Sequence, residues 1–296
     1  MKASTARKNT TKGLLFALPW IIGFLAFTAY PIVASLYYSF TEYVGIGTPK
    51  WIGSENYSAL FNDELFWTSL YNTLYYTCLA VPIGFVIALG LALLLNLELK
   101  EIGFYRTLIY IPYVLPAVAV SFIWLWMLNP YFGLVNLVLD RVFGIQGPGW
   151  FSDPRWSKFS FVMLAQWGAG GSAIIFLSAL KDVPRELIES AEIDGAGWWA
   201  KFRNITLPMI SPVILYHLIT ALFGAFQIFT TAYIATNGGP ANSTLFYVLY
   251  LYRNAFQYGK MGYASAMAWI LFIIVLIATV IIFRTSARWV FYRGGE

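Results

Sequence analysis

Charged side chains are scarce in this sequence. Asp, Glu, Lys and Arg make up 11% of its 296 residues, against 59% hydrophobic, whereas a soluble domain carries about 25% charged residues. With a mean hydropathy of +0.66, the chain lacks the polar surface that dissolves a domain in water, and it reads as a membrane protein. Cysteine is almost missing. Cys78 stands alone, which excludes an intramolecular disulfide and a thiolate metal site and leaves packing as its expected role. The single histidine, His217, forms no ligand cluster and reads as a hydrogen-bonded structural residue.

Other absences exclude chemistry. Ionisable residues inside a membrane mark proton relays, ion pathways and voltage sensors, and residues 205–252 carry no formal charge at all. That lowers the case for a proton- or sodium-driven carrier, although backbone carbonyls can serve one. No selectivity-filter motif or charged ring supports an ion channel. A phosphate-binding loop ends in Gly-Lys-Ser/Thr, and the sole Gly-Lys pair, Gly259-Lys260, continues with Met261. HExxH helices, GxSxG elbows and His/Cys clusters are also missing. The chain is expected to be no enzyme, with no catalytic, cofactor or metal site of its own. The net charge of +5 lies scattered between apolar runs and forms no nucleic-acid motif.

What is present is hydrophobic length. Six runs approach or exceed the roughly 20 apolar residues that cross a bilayer: 14–38, 70–96, 107–128, 160–180, 209–235 and 262–283, none with Asp, Glu, Lys or Arg. Pro19, Pro31, Pro82, Pro112, Pro116 and Pro212 predict kinks, which neighbouring helices can satisfy. The first run follows Lys2, Arg7, Lys8 and Lys12 like a signal peptide, but it stays apolar too long and shows no clear cleavage site. It is expected to remain as a span. Basic residues mark the inner side. With the N-terminus inside, the inner segments hold those four, Lys100, Arg106, Lys181, Arg185, Lys201, Arg203, Arg284, Arg288 and Arg293, which is 13 of the 19 Lys and Arg residues. Both termini should then be cytoplasmic, in a multi-pass protein of the cell membrane. The domain organisation is a cytoplasmic tail over 1–13, a six-helix membrane domain over 14–283 and a second tail over 284–296. The outer loops carry Trp51, Tyr57, Trp67, Tyr131, Trp150 and Trp156, as suits a membrane interface.

The loop after the fourth span is the most charged part of the chain: "ELIESAEIDGAGWWAKFRNITLP", residues 186–208. Asp182 is expected to cap a helix with Pro184 in its first turn. Glu186, Glu189 and Glu192 share an arc of about 120° on it, with Leu187, Ile188 and Ala191 as an apolar strip. Gly195 permits the left-handed conformation that ends a helix, and a second short helix over 198–204 leads to Leu207-Pro208. Two short helices meeting at a glycine bend would lie along the inner membrane surface.

The order Glu189-Ser190-Ala191, Asp194-Gly195-Ala196, Phe202, Ile205, Leu207-Pro208 closely resembles the "EAA" loop of permease subunits from ATP-binding-cassette importers. Ser190 stands where that pattern has a second Ala. Similar stretches run along the chain: "LPWIIGFLAFTAYPIVASLYYSF" (18–40), "GFYRTLIYIPYVLPAVAVSFIW" (103–124), "GLVNLVL" (133–139) and "TNGGP" (236–240). Together they are closest to the maltose and glycerol-phosphate branch of carbohydrate permeases. The resemblance implies an all-α polytopic membrane protein with six transmembrane helices, in the MetI-like type I ABC-importer permease fold. It also implies that residues 184–208 form the coupling loop, in which Glu189, Ser190, Ala191, Asp194, Gly195, Ala196, Phe202, Leu207 and Pro208 engage a separate ATPase. The implied partners are a second homologous permease, two ATPase subunits that bind ATP and Mg, an extracytoplasmic solute-binding protein and the lipid bilayer, with no nucleic acid. The implied cargo is a sugar. Glycerol phosphate or another polar solute is the alternative, and a secondary carrier the reading from another class.

Sugars call for aromatic faces beside amide and hydroxyl partners. In the fourth and fifth spans, where the family places its substrate contacts, Gln166, Trp167, Gly168 and Gly171, and Phe223, Gly224, Gln227 and Thr230, supply such groups and space. The same residue types also serve helix packing in membranes.

Overall fold

The computed structural model describes Gly13, residues 15–97 and residues 99–292. Lys2, Arg7, Lys8, Lys12 and Arg293, Leu14 at the head of the first run, and nearly all of the expected N-terminal tail lie outside the described residues.

Among the described residues the architecture is helical apart from one pair of two-residue strands. In chain order the elements are α1 (Leu15–Ser39), β1 (Thr41–Glu42), β2 (Lys50–Trp51), α2 (Glu55–Phe61), α3 (Glu64–Leu95), α4 (Ile102–Val114), α5 (Ala117–Met127), α6 (Leu134–Phe143), α7 (Pro154–Gln166), α8 (Gly170–Lys181), α9 (Arg185–Ile193), α10 (Trp198–Lys201), α11 (Leu207–Phe226), α12 (Thr230–Ala235), α13 (Tyr247–Tyr252) and α14 (Met261–Ser286). All six expected runs are recovered. Four are single candidate spans (Leu15–Ser39, Glu64–Leu95, Trp198–Ala235 and Met261–Ser286), the third of them interrupted at residues 227–229, and two are bent pairs, α4 with α5 and α7 with α8. The chain is a multi-pass membrane protein.

The bends exceed the expected kinks. α4 and α5 meet at 99° and α7 and α8 at 46°. At the sharper break Leu115 is extended, with ψ 137°, because the ring of Pro116 disfavours the helical region for the residue before it. The α7 start is equally local in origin. Asp153 caps it by accepting from the Arg155 N–H, with Pro154 in the first turn. The Arg155 side chain, hydrogen-bonded to Asp153, holds that carboxyl below its ordinary range.

The chain divides into two compact units. The first comprises the described residues up to Asp63 together with Leu251–Phe272. In it, the β1–β2 hairpin follows α1, Asn56 of α2 donates to the Ser39 and Thr41 carbonyls, and Trp269 Nε1 donates to Ser35 Oγ. Tyr263 donates to Asp63.

The second unit runs Glu64–Tyr250 with the chain from Ile273 onward. Its centre is α3, packed on α7, α8 and α11. Ala88, Ala92 and Leu95 of α3 meet Phe176, Leu177 and Leu180 of α8 and Ile210 and Ile214 of α11 in one buried cluster. A second cluster joins Trp124 of α5 and Leu128 just after it to Trp150 and to Leu164 of α7. Small residues bring the broken helices together. Gly170 is buried, and a Cβ there would lie 1.9 Å from the Ile109 carbonyl oxygen of α4. Cys78 departs from expectation: it is exposed on α3, since the buried face of that helix carries Ser69, Asn72, Thr73, Tyr76, Thr77 and Ala80. His217 is buried against the rings of Phe85 and Phe176, and its Nε2 finds no hydrogen-bond partner among the described residues.

Candidate functional site

The charged loop folds as two short helices about a glycine. α9 carries Glu186, Glu189 and Glu192 exposed along nine residues. Its N-cap is Pro184, with no side-chain cap. Asp182 instead ends α8, its N–H bonding to the Ser178 and Ala179 carbonyls. The expected cap fails because Asp182 is already the closing residue of the preceding element.

At the other end the expected bend is present. Gly195 has φ +77°, the left-handed region open to a residue without Cβ. The Gly195 N–H bonds to Glu192 and the Ala196 N–H to Ala191, closing the α9 carbonyls in the manner of a helix-ending motif. Asp194 and Ser190 are exposed, while Ala191 and Ala196 are half-buried. Trp198 of α10 stacks on Phe202, with centroids 5.5 Å apart and planes 3° from parallel. Phe202 and Leu207 pack against the buried cluster of α3, α8 and α11, so these two tie the loop to the bundle rather than facing outward. The chain passes without a stop into α11 through a π-helical turn, Phe202–Thr206, ahead of Pro208. A proline there lacks the N–H that would bond four residues back, and the wide turn absorbs the mismatch. Ile193, Trp198 and Trp199 are 88%, 63% and 61% exposed, an unusual concentration of bare apolar surface beside exposed carboxylates.

Behind this loop lies a cavity of about 1070 Å³. Its walls are the end of α3, the start of α4 and the α8–α10 segment, and its charged groups include Arg106, Lys181, Glu189, Glu192 and Lys201. Lys201 is paired with Glu192, which latches α10 to α9. Arg106 donates one Nη to the Leu95 carbonyl, while its buried Nε has no partner among the described residues. In the sequence Arg106 reads only as a topological charge. The signal available is its position: one cation at the head of an apolar run.

The candidate pathway residues separate into two groups. In α7 and the turn after it, Gln166 donates to the Val162 and Ala80 carbonyls, and Trp167 meets Trp124 edge to face at 5.8 Å. Gly168 is half-buried, and a Cβ there would meet its nearest neighbour at 3.7 Å. At Gly171 the space is taken by the Tyr113 ring, 2.5 Å from where a Cβ would stand. Gly171 therefore serves close packing of α8 on α4. In the other group Phe223, Gly224, Gln227 and Thr230 are all exposed. Gln227 closes α11, and the helix restarts at Thr230, so Phe223 and Thr230 stand on opposite sides of a break.

A polar seam joins α3 to α7. Lys158 Nζ donates to Asn72 Oδ1 at 3.3 Å, and eight residues on, Gln166 reaches Ala80. Both pairs are 86 residues apart, so the two helices run parallel in register. Ser157 and Ser243 hydroxyls meet at 2.8 Å, and the Tyr247 N–H donates to Thr73, fastening the segment after "TNGGP" to the same end of the seam. From Asn72 to Leu93 at the cavity wall, α3 advances about 31 Å at 1.5 Å per residue, close to the thickness of a bilayer core. The seam head and the cavity thus stand at opposite ends of a membrane-length helix.

Comparisons with known proteins agree along nearly the whole chain. Residues 80–291 match the family model described as the binding-protein-dependent transport system inner membrane component. The chain is 41% identical to a probable ABC transporter permease protein of Bacillus subtilis (strain 168), over 100% of this chain and 96% of that one. It is 38% identical to the lactose transport system permease protein of Rhizobium radiobacter, over 96% and 97%. Among solved structures, the crystal structure of a bacterial ABC transporter involved in the import of the acidic polysaccharide alginate aligns with a TM-score of 0.86 at 26% identity, covering 97% of this chain and 99% of that one.

Proposed function

Because the chain belongs to the family of binding-protein-dependent transport system inner membrane components, a family of transport components rather than enzymes, we propose that it forms the translocation pathway of an ATP-driven sugar importer. In this reading the pathway is shared with a second homologous permease. A solute-binding protein delivers the sugar at the seam-head end, and two separate ATPase subunits, holding ATP and Mg, grip the α9–α10 loop at the other. Both termini are cytoplasmic, as the distribution of Lys and Arg requires if basic segments stay inside.

The observation that carries this reading is the α9–α10 loop itself: exposed carboxylates and apolar side chains on a glycine hinge, fixed to the bundle through Phe202, Leu207 and the run-on helix α11. A solvated surface loop gains nothing from Ile193, Trp198 and Trp199 in water. A docking helix does, because those groups are buried when the partner arrives. Motion of the ATPases would then reach the spans only if the ATPases bind the two conformations of the permease with different affinity.

The test is purification of the tagged chain from its native membrane. ATPase subunits should accompany it, and uptake should persist after the proton gradient is collapsed. A chain that purifies alone and loses uptake with the gradient is a secondary carrier. For the pathway, Trp167→Ala and Gln227→Ala are each expected to raise the half-saturation concentration for sugar by about tenfold, the effect of losing about 1.4 kcal/mol of binding. Unchanged uptake kinetics in both variants would displace the pathway from these two helices.

A further inference from the structure

Lys158 is a cation in the second turn of a membrane span, and no carboxylate among the described residues pairs with it. Its position is nonetheless constructed. Asn72 is 1% exposed, and its amide nitrogen donates to the Asn242 and Leu245 carbonyls. Both donors of that amide are spent on the 242–245 segment, so Oδ1 is fixed in place and turned to the lysine. On the other side Nζ stands 5.2 Å from the Tyr71 ring centroid and 5.5 Å from that of Tyr75. The two rings lie 6.4 Å apart at 44°, and Tyr71 is 60% exposed. An ammonium has three donors. One is used on Asn72, and the ring faces supply only a diffuse attraction.

This is not the geometry of a lysine reaching for the membrane surface. A snorkelling lysine lays its stem along apolar surface and puts its head into water, whereas Lys158 is drawn sideways across the α3–α7 seam. The combination of a fixed cation with spare donors and an exposed aromatic ring is what an acidic sugar needs: the ring stacks on the sugar face, and the ammonium meets its carboxylate or phosphate. The same helix carries Gln166 two turns further along the seam, about 12 Å away at 1.5 Å per residue.

We propose that Lys158, with Tyr71 and Tyr75, forms a subsite for the anionic group of an acidic sugar at the outer end of the pathway, an assignment that rests on the importer reading above. An anionic lipid headgroup offers the same chemistry, and the experiment separates the two.

The complete importer, with its binding protein and ATPases, is reconstituted in liposomes with and without phosphatidylglycerol. Uptake is measured for paired probes, digalacturonate against galactobiose and dimannuronate against mannobiose. Wild type should import at least one acidic member in an ATP-dependent manner. Lys158→Gln should raise its half-saturation concentration by about tenfold or more, the loss expected for one charge-assisted hydrogen bond, in both lipid mixtures. Lys158→Arg should restore it, which separates a charge requirement from a folding defect. Import of neutral members only, or a Lys158→Gln variant that matches wild type on the acidic probe, overturns the subsite while leaving the importer standing. A defect confined to liposomes with phosphatidylglycerol assigns the cation to lipid and overturns it too. If no probe is taken up with ATP, the subsite falls, and the importer reading is decided separately by whether ATPase subunits co-purify with the chain.

Discussion

Gly195→Pro is expected to abolish uptake while the chain still inserts in the membrane at wild-type level. Gly195 has φ +77°, and the proline ring locks φ near −65°, so the α9–α10 hinge cannot close around it. The substitution also removes the N–H that Gly195 gives to Glu192. Space is not the issue, because among the described residues nothing beyond the adjoining ones lies within 4 Å of a Cβ placed at this position. The effect is conformational, and that fixes a graded series. Asn visits the left-handed region most readily among residues with a side chain and should retain most uptake. Ala fits sterically but carries a cost of about 1–2 kcal/mol for that backbone, which predicts an uptake loss of roughly tenfold if the hinge must hold its shape to transmit force. Asp194→Lys keeps the hinge and reverses a charge on the exposed face, and it should uncouple the loop by weakening the ATPase contact instead. Co-purified ATPase and radiolabelled uptake, measured at equal membrane content, distinguish the two routes to failure. Should Gly195→Pro transport normally, the loop is not the mechanical link.

Much of this arrangement is legible in the residues, and what is not legible has a common cause. The six spans follow from apolar length alone, and the hinge follows from a glycine placed after a run of good helix formers. Those are local signals. The 99° break at Leu115-Pro116 is only half local: the proline forbids a straight continuation, but the size of the turn is set by α5 packing on α12 and α4 packing on α8. Asp182 illustrates a boundary error, since Ser, Asp and Asn serve at either end of a helix and its neighbours decide which. Lys158 is visible in the sequence as a charge near a span and counts there only for topology. Its meaning depends on Asn72 and on the 242–245 segment, 86 and 84 or more residues away, and no periodicity reports such a meeting. The glycines divide for the same reason. Gly168 and Gly224 keep free space, while Gly170 and Gly171 are consumed by the approach of α4.

That division yields the second large effect. Gly170→Val should prevent stable folding of the second unit. A Cβ at Gly170 would stand 1.9 Å from the Ile109 carbonyl oxygen and 2.7 Å from its carbon, distances at which backbone, not a mobile side chain, has to give way. α4 cannot yield alone: it ends at the Pro116 break, and its Tyr113 ring is already set against Gly171. Overpacking a filled interior costs about 1–3 kcal/mol, and a rigid backbone contact belongs at the upper end or beyond it. At about 1.4 kcal/mol per tenfold, the ratio of folded to unfolded chain falls by roughly 100-fold. The expected result is a chain that is made and inserted but degraded, with a lowered unfolding temperature in detergent. Gly168→Ala is the matched control, two residues earlier, where the nearest contact is an ordinary 3.7 Å, and it should accumulate like wild type. If Gly170→Val accumulated equally well, the close crossing of α4 and α8 would be wrong. The broken third span would then have to be held by contacts other than this glycine notch, because two helices cannot approach so closely over a β-branched side chain.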